Sequence, residues 1–500
     1  MFPEIFDLKD LDGKNGFAMH GTKSRAGLGF VSAAGDFNND GVSDLLVTEA
    51  NTLDPRNGGR GYILFGGDKW YKPHFKLEDV NGTNGFIIDG QNYTYSNGIG
   101  LYGSNLQDVN GDNVDDVIFS LTRTNRVGPS TAFVIYGSED KNFDTYFDFK
   151  LLNGTGGIII QGITNTGSIN TRVGDINDDG ISDILISEYI SALGDYNSAT
   201  IVYGSKDNFP YAEDGIINLG MDLGEIGARF MLYNGYRISQ IPLAGIGDMN
   251  GDGIDDALVQ GYGEMGVFYG SKNLTSKNID QLDGKNGFKI EVSGQSPGNP
   301  AFFGKVGKGD INADGIDDLI FGNVFNGSAY VIYGSKKPFN STYYIPEHLD
   351  GKNGFSLFHQ GGIFSGFGRS VSMIGDINND GIDDFFVGAI NSTVYESMQT
   401  TQYIIFGNKK GFPAVMDPDE LDGRNGFKIT NQTQGDSPGI IYVDGIGDFN
   451  NDGIDDFAFG APGVWYNGDG VSSYVYVDGQ AYVIYGQNYS SAETQTEFLV

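Results

Sequence analysis

Asp376-Ile377-Asn378-Asn379-Asp380-Gly381-Ile382-Asp383-Asp384, followed at once by Phe385-Phe386-Val387, decides the fold. The first nine residues follow D-x-N-x-D-G-x-x-D, an oxygen-rich loop with glycine at its sharpest bend. The three apolar residues after it read as a short buried strand rather than a helix. The same pattern starts at Asp36, Asp175, Asp248, Asp310 and Asp448, and an altered copy starts at Asp108 with Asn113 in the glycine position. Self-similarity at a spacing of roughly 70 residues marks a repeat architecture.

Two further marks keep the same phase. Apolar strands ending in aromatic-Gly close at Gly66, Gly137, Gly204, Gly270, Gly334, Gly407 and Gly486. The turn sequence L-D-G-K-N-G-F begins at Leu11, Leu282 and Leu349, carries Arg at Leu421 and weakens at Val80 and Leu152. In the remaining copy Gly227-Ala228-Arg229-Phe230 replaces its end. Asp-Gly and Asn-Gly pairs are turn signals placed before a strand. With one more short strand before each acidic loop, such as Phe367 to Ile374, every period holds four strands.

Seven such periods predict an all-β, seven-bladed β-propeller of four-stranded blades. The repeats start near residues 27, 98, 167, 238, 302, 366 and 439, giving one propeller over 1–486 and a tail over 487–500. The turn and strand from Leu11 to His20 precede the first acidic loop, whereas the last blade ends at Tyr485-Gly486 without a fourth strand. The N-terminal strand is therefore expected to complete blade 7 and remove the exposed edges of an open array.

Composition agrees. The 500 residues include 78 Gly, suited to many turns, and the 39% hydrophobic content suffices for a packed core. A formal charge of −34 excludes a nucleic-acid partner, since phosphate binding needs a basic surface. No cysteine is present, which excludes disulfides, thiolate zinc sites and a thiol nucleophile. The longest weakly polar stretch, Phe457 to Tyr466, is about half of the ~20 residues a membrane helix requires. No membrane span is expected, and Met1 to Asp7 show neither the basic nor the apolar region of a secretory leader.

Hard oxygen donors at positions 1, 3, 5, 7 and 9 suit Ca²⁺ better than Mg²⁺, which demands near-octahedral geometry and retains its waters. The expected ligands are Asp36, Asn38, Asp40, Val42 through its carbonyl, and Asp44; then Asp108, Asn110, Asp112, Val114 and Asp116. Blades 3 and 4 offer Asp175, Asn177, Asp179, Ile181 and Asp183, and Asp248, Asn250, Asp252, Ile254 and Asp256. Blades 5 to 7 offer Asp310, Asn312, Asp314, Ile316 and Asp318; Asp376, Asn378, Asp380, Ile382 and Asp384; and Asp448, Asn450, Asp452, Ile454 and Asp456. An EF-hand would need Glu at position 12, where the chain has Val47, Phe119, Ile186, Val259, Phe321, Val387 and Phe459. Up to seven structural Ca²⁺ ions are expected, with Asn113 weakening the second loop.

These marks, with Gly29-Phe30, Phe303-Gly304, Phe367-Gly368 and Gly460-Ala461-Pro462, resemble the FG-GAP repeats of the integrin α-subunit propeller and its microbial relatives. The resemblance implies Ca²⁺ in the loops between strands 1 and 2, and recognition of extracellular partners. It implies an extracellular or cell-surface location.

Strands alternate in direction, so the 1–2 and 3–4 loops share one face and the 2–3 and 4–1 loops the other. Ligand recognition is expected on the second face. Candidates there are Trp465, Tyr466, Tyr474 and Tyr476 in the longest 2–3 loop, Arg56 and Arg60 in blade 1, Arg123 and Arg126 in blade 2, and Tyr93 and Tyr95 in a 4–1 loop. Aromatics with polar tips suit protein hot spots or sugar stacking. The arginines suit a carboxylate, phosphate or sulfate.

Nine Asn-x-Ser/Thr sequons, at Asn81, Asn92, Asn153, Asn273, Asn326, Asn340, Asn391, Asn431 and Asn488, are compatible with a glycoprotein. No hydrolase elbow, nucleotide loop or histidine metal motif occurs. The four histidines stand in unmatched contexts. The leading expectation is a non-catalytic adhesion or recognition propeller for an extracellular protein or glycan. The alternatives are a glycan hydrolase or lyase using carboxylates such as Glu49, Glu188 and Glu264, and a purely structural part of a surface assembly.

Overall fold

In the computed structural model all seven acidic loops run into a strand, which in six blades is the second of its sheet and in the fifth is Leu319–Asn323. The structure describes residues 2–22, 27–49, 59–68, 72–89, 99–123, 131–139, 143–162, 172–190, 196–206, 209–220, 222–233, 243–260, 265–293, 308–323, 326–359, 366–390, 400–430, 442–461, 464–466, 474–476 and 479–488. Blade 1 comprises Leu28–Gly35, Asp44–Glu49, Arg60–Leu64 and Gly85–Asp89, antiparallel throughout. Blade 2 repeats this with Ile99–Gln107, Asp116–Arg123, Thr131–Ile135 and Gly157–Gln161. Blade 3 uses Arg172–Gly174, Asp183–Ile190, Tyr196–Val202 and Gly227–Tyr233, so the eroded turn still delivers its strand. Blade 4 uses Leu243–Gly247, Asp256–Gln260, Met265–Phe268 and Gly287–Val292.

In blade 5 Leu319–Asn323, Ser328–Ile332 and Gly354–Phe358 pair in order, while the first strand expected near residue 302 lies outside the described residues. Blade 6 comprises Ser370–Gly375, Asp384–Ile390, Thr400–Ile405 and Gly426–Thr430. Blade 7 draws Tyr442–Gly447, Asp456–Ala461 and Gln480–Ile484 from the C-terminal end and Gly16–His20 from the N-terminal end. Gly16 pairs with Ile484 and His20 with Gln480, which is the closure expected from chain order.

The blades hold more than four strands. Two to four residues ahead of the next blade's turn add a fifth strand, parallel to strand 4, in blades 2, 3, 4, 5, 6 and 7. Blade 1 has the equivalent as a single parallel bridge between Ile87 and Tyr146. Ile5–Asp7 supplies this strand to blade 6, so the N-terminal residues 5–20 tie two blades rather than one. Pieces as short as Lys277–Asn278 and Val415–Met416 carry no alternation that a sequence pattern could register.

In blades 4, 5 and 6 an aromatic anchor precedes the fifth strand. Phe2 stacks on Phe427 at 4.3 Å, Phe339 on Phe288 at 4.4 Å and Phe412 on Phe355 at 4.4 Å. Such offset pairs add to the stability their buried area already brings. Seven apolar clusters lie between neighbouring sheets, and the one joining blades 7 and 1 contains Phe17, Met19, Leu45, Tyr62 and Val483, all 0% exposed.

The blades also meet in a closed hydrogen-bonded ring. The amide following each aromatic-Gly donates to the carbonyl at loop position 2 of the preceding blade. Ser138 bonds Phe37, Ser205 Val109, Ser271 Ile176, Ser335 Met249, Asn408 Ile311 and Gln487 Ile377, and Gly67 bonds Phe449 to close the circle, all at 2.7 to 3.0 Å. This ring explains the phase of the aromatic-Gly mark: it places a donor against the neighbouring blade.

Candidate functional site

The loops fold around their own acidic side chains. In blade 6 the two oxygens of Asp376 accept from the amides of Asp380 (3.0 Å) and Gly381 (2.7 Å), and Asp380 accepts from Ile382 (3.1 Å). Asn379 and Gly381 both adopt the left-handed conformation, at φ +57° and +88°. Asp and Asn side chains stabilise such turns by bonding backbone amides two to five residues on. In the altered copy Asn113 takes φ +66° and its amide donates to Asp108 at 2.7 Å, so the second loop keeps the shape of the others.

The ninth-position aspartates are the most constrained. Asp44, Asp116, Asp183, Asp256, Asp318, Asp384 and Asp456 are all 0% exposed. One carboxylate oxygen accepts from the position-2 amide of its loop at 2.9 to 3.1 Å. The other accepts from the glycine that ends strand 3, at 2.8 to 3.0 Å. The acidic mark and the aromatic-Gly mark are thus two ends of one contact.

Burial pushes each of these seven carboxyls well above the usual carboxylate range, although the backbone bonds oppose it. The carboxylates at positions 1 and 5 push in the same direction by repulsion, as Asp36 and Asp40 do to Asp44. Among the described residues no three acidic or histidine side chains converge closely enough to coordinate a metal as they stand. The donor chemistry nevertheless fits a hard cation: each loop gathers three carboxylates. The Oδ1 atoms of Asn312 and Asn378, at position 3, are buried without a hydrogen-bond partner.

Position 8 is a functional residue that the sequence reading passed over. Its carboxylate accepts from the position-1 amide of the preceding blade: Asp115 from Asp36, Asp255 from Asp175, Asp317 from Asp248, Asp383 from Asp310 and Asp455 from Asp376, at 2.8 to 3.1 Å. Ser182 and Ser43 hold this place at the other two junctions, each donating its amide to the neighbouring position-1 carbonyl. Where position 8 is Asp, the residue before the neighbouring position 1 is glycine, whereas Gln107 stands opposite Ser182. At Gly375, with φ +77°, an added Cβ would lie 2.4 Å from Asp455 Oδ2. Gly375→Ala is expected to lower stability by about 1–3 kcal/mol, read as a lower urea midpoint at unchanged slope.

At the other end of the sheets, Glu49 is 4% exposed and accepts from the Thr22 amide (2.6 Å), the Thr22 hydroxyl (2.9 Å) and the Tyr62 hydroxyl (2.9 Å). Arg60 pairs with Asp89 at 3.1 Å, so its charge is engaged within blade 1. Trp465 and Tyr466 lie on a two-stranded ribbon opposite Val475 and Tyr474, with Val464 opposite Tyr476; their side chains lie outside the described residues. Arg123 ends strand 2 of blade 2, and Glu188 lies in strand 2 of blade 3 opposite Ser198, both with undescribed side chains. Arg56, Arg126, Tyr93, Tyr95 and Glu264 fall outside the described residues altogether. The histidines are less isolated than their sequence contexts imply: His20 Nε2 and His74 Nδ1 are 3.0 Å apart across the edge of blade 7.

No family model matches the chain. It is 29% identical over 215 residues to "Integrin alpha pat-2" of Caenorhabditis elegans, a match covering 39% of this chain and 16% of that protein. Identity with human "Integrin alpha-6" is 30% over 156 residues, or 31% of this chain and 12% of that protein. A "Phosphatidylinositol-glycan-specific phospholipase D" of Dictyostelium discoideum is 26% identical over 291 residues, 51% of this chain and 29% of that protein. The chain thus covers less than a third of each of these relatives.

Proposed function

We propose that this integrin-like FG-GAP propeller is a non-catalytic recognition module of the cell surface or extracellular space. In this reading, Ca²⁺ in the acidic loops stabilises it, and a protein or glycan binds at the face carrying the 2–3 and 4–1 loops. One observation carries the reading: all seven loops are linked blade to blade into one ring. That ring commits one face to structure and leaves the opposite face for a partner. The likeness to integrin α subunits supports a recognition role. Among the described residues no helix is long and apolar enough to cross a membrane.

Within this reading Asp376, Asn378, Asp380, the Ile382 carbonyl and Asp384, and their counterparts in the other blades, hold the cation. Its positive charge offsets the repulsion among the three carboxylates. The weak affinity typical of extracellular Ca²⁺ modules, about 10⁻⁴ to 10⁻³ M, leaves such a site about half to nine-tenths filled at millimolar Ca²⁺.

The test is saturable binding to a panel of glycans and extracellular proteins in millimolar Ca²⁺, with Trp465→Ala/Tyr466→Ala as the variant. The expected result is at least a roughly tenfold loss of affinity, typical of interface hot spots, at unchanged melting temperature. Absence of saturable binding, or binding indifferent to the variant, contradicts it. The phospholipase D match calls for a parallel assay of glycosylphosphatidylinositol hydrolysis. Turnover lost in Glu188→Gln would replace the recognition reading with a catalytic one.

A further inference from the structure

A cavity of about 610 Å³ opens between blades 1 and 2, on the side of the acidic loops and away from the proposed partner face. Its volume is that of a pocket for a small organic ligand, which typically spans about 300–1,000 Å³. Phe37, Phe86 and Phe143 form one wall, with ring centroids 5.4 to 5.9 Å apart, and Phe147 extends it at 6.3 Å from Phe86. The space has a local cause. Phe143 occupies the anchor position filled by Phe2, Phe339 and Phe412, but it stands 5.4 Å from Phe86, where those pairs close to 4.3 or 4.4 Å.

The mouth exposes apolar surface. Tyr146 is 50% and Leu151 45% exposed, and both line the cavity. Around them stand Asp112, Glu139, Asp144 and Asp148, and among the described lining residues Lys206 is the one basic side chain. The Lys206 stem packs against Gly111, where an added Cβ would lie 2.7 Å from its Cγ. Tyr136, 7% exposed, belongs to the wall, and its buried hydroxyl has no hydrogen-bond partner.

We infer that this cavity is a binding site for a small organic cation, an ammonium group on an aromatic or aliphatic body. The exposed ring of Tyr146 and the carboxylate rim both favour a positive head group, while Phe143, Phe147 and Leu151 take the apolar body, with the buried Phe37 and Phe86 behind them. With loop 2 engaging Asp112, an anionic ligand of the same shape still meets Glu139, Asp144 and Asp148, and a neutral one forgoes the rim.

The probe is phenethylammonium, with phenethyl alcohol and phenylacetate as neutral and anionic isosteres. Binding is measured by ligand-observed NMR and calorimetry on the full chain in saturating Ca²⁺, so that loop 2, which shares Asp112 with the cavity, is held in one state. Expected are binding of the amine, at least roughly fivefold weaker binding of the alcohol and none of the acid, as rim charges and a cation–π contact imply. Glu139→Gln/Asp144→Asn should weaken the amine roughly three- to tenfold and leave the alcohol unchanged. Tyr146→Ala, at an exposed site, should weaken both at unchanged melting temperature. The inference is overturned by equal binding of amine and alcohol, by variants that bind the amine as the wild type does, or by no binding of the amine at millimolar concentration. It is also overturned if, in a separate titration begun from chelated protein, Ca²⁺ displaces the amine competitively, which would make the cavity an annex of loop 2.

Discussion

A chain lacking residues 2–20 is expected to lose the single cooperative unfolding transition of the intact protein and to be recovered as oligomers. That segment carries the strand Gly16–His20 that closes blade 7 and the strand Ile5–Asp7 that edges blade 6. It also carries Phe2, stacked on Phe427, and Phe17 and Met19, fully buried between blades 7 and 1. Burying a Phe or Met contributes about 1.5–3 kcal/mol, so Phe2, Phe6, Phe17 and Met19 alone contribute about 6–12 kcal/mol, comparable with the ~5–15 kcal/mol that holds a typical domain folded. Deletion also bares the edge of Gln480–Ile484 and removes the partner of His74–Lys76. A bare edge templates association between chains. Size-exclusion chromatography and calorimetry report both effects, and adding the 1–20 peptide in trans should restore part of the transition. A truncated chain that stays monomeric and melts within a few degrees of the intact protein would show that the ring closes without this strand. Phe17→Ala is the milder form of the experiment and should cost about 3–5 kcal/mol.

The second large effect is expected at the ninth loop position. Asp256→Ala removes the acceptor for the amides of Met249 and Gly270, both at 3.0 Å, and leaves two buried donors unsatisfied. Bonds to a charged acceptor are worth about 1.5–3 kcal/mol each, so a loss of about 3–5 kcal/mol is expected. Asp256→Asn removes the charge and keeps one of the two acceptors, while its NH2 group faces the other backbone amide. The Asp256 carboxylate is opposed by burial and by Asp252 and Asp248. Removing its charge relieves that repulsion in a chelated sample but leaves one buried amide unsatisfied, so the variant should lose less there than Asp256→Ala, about 1–3 kcal/mol. In millimolar Ca²⁺ the same substitution removes a ligand charge and should lower the melting temperature clearly further. An equal loss with and without Ca²⁺ would mean that Asp256 serves only its two backbone bonds.

The sequence displayed the blades because each carries residues whose chemistry allows little substitution. A carboxylate must meet two amides at the ninth position, and glycine must follow the strand-3 aromatic where the backbones crowd: at Gly66 a Cβ would lie 2.2 Å from the Ser43 carbonyl. Closure was legible from chain order alone. The fifth strands were not, since Lys277–Asn278 is too short to show periodicity and pairs in parallel with residues nearly fifty positions earlier. The ring through position 8 was written in the Asp-Asp pairs at 115–116, 255–256, 317–318, 383–384 and 455–456, but a second aspartate beside a ligand reads as surface charge until the neighbouring blade is seen. The pairing of Arg60 with Asp89 and the bonding of Glu49 to Thr22 and Tyr62 depend on strands brought together only by the sheet. An anion-binding place was expected for Arg60 and a place near the open face for Glu49, and in the structure each already holds the partners named.

The measurement closest to the centre of this account is Ca²⁺ stoichiometry by equilibrium dialysis, paired with the melting temperature of the same samples. At Ca²⁺ ten- to a hundredfold above the dissociation constant, each filled site adds about 1.4–2.7 kcal/mol. Seven loops should therefore raise the midpoint by at least about 10 °C, with six or seven ions bound per chain. Fewer than one ion per chain at several millimolar Ca²⁺, with the midpoint unchanged, would contradict the account and leave the acidic loops as hydrogen-bonded turns alone.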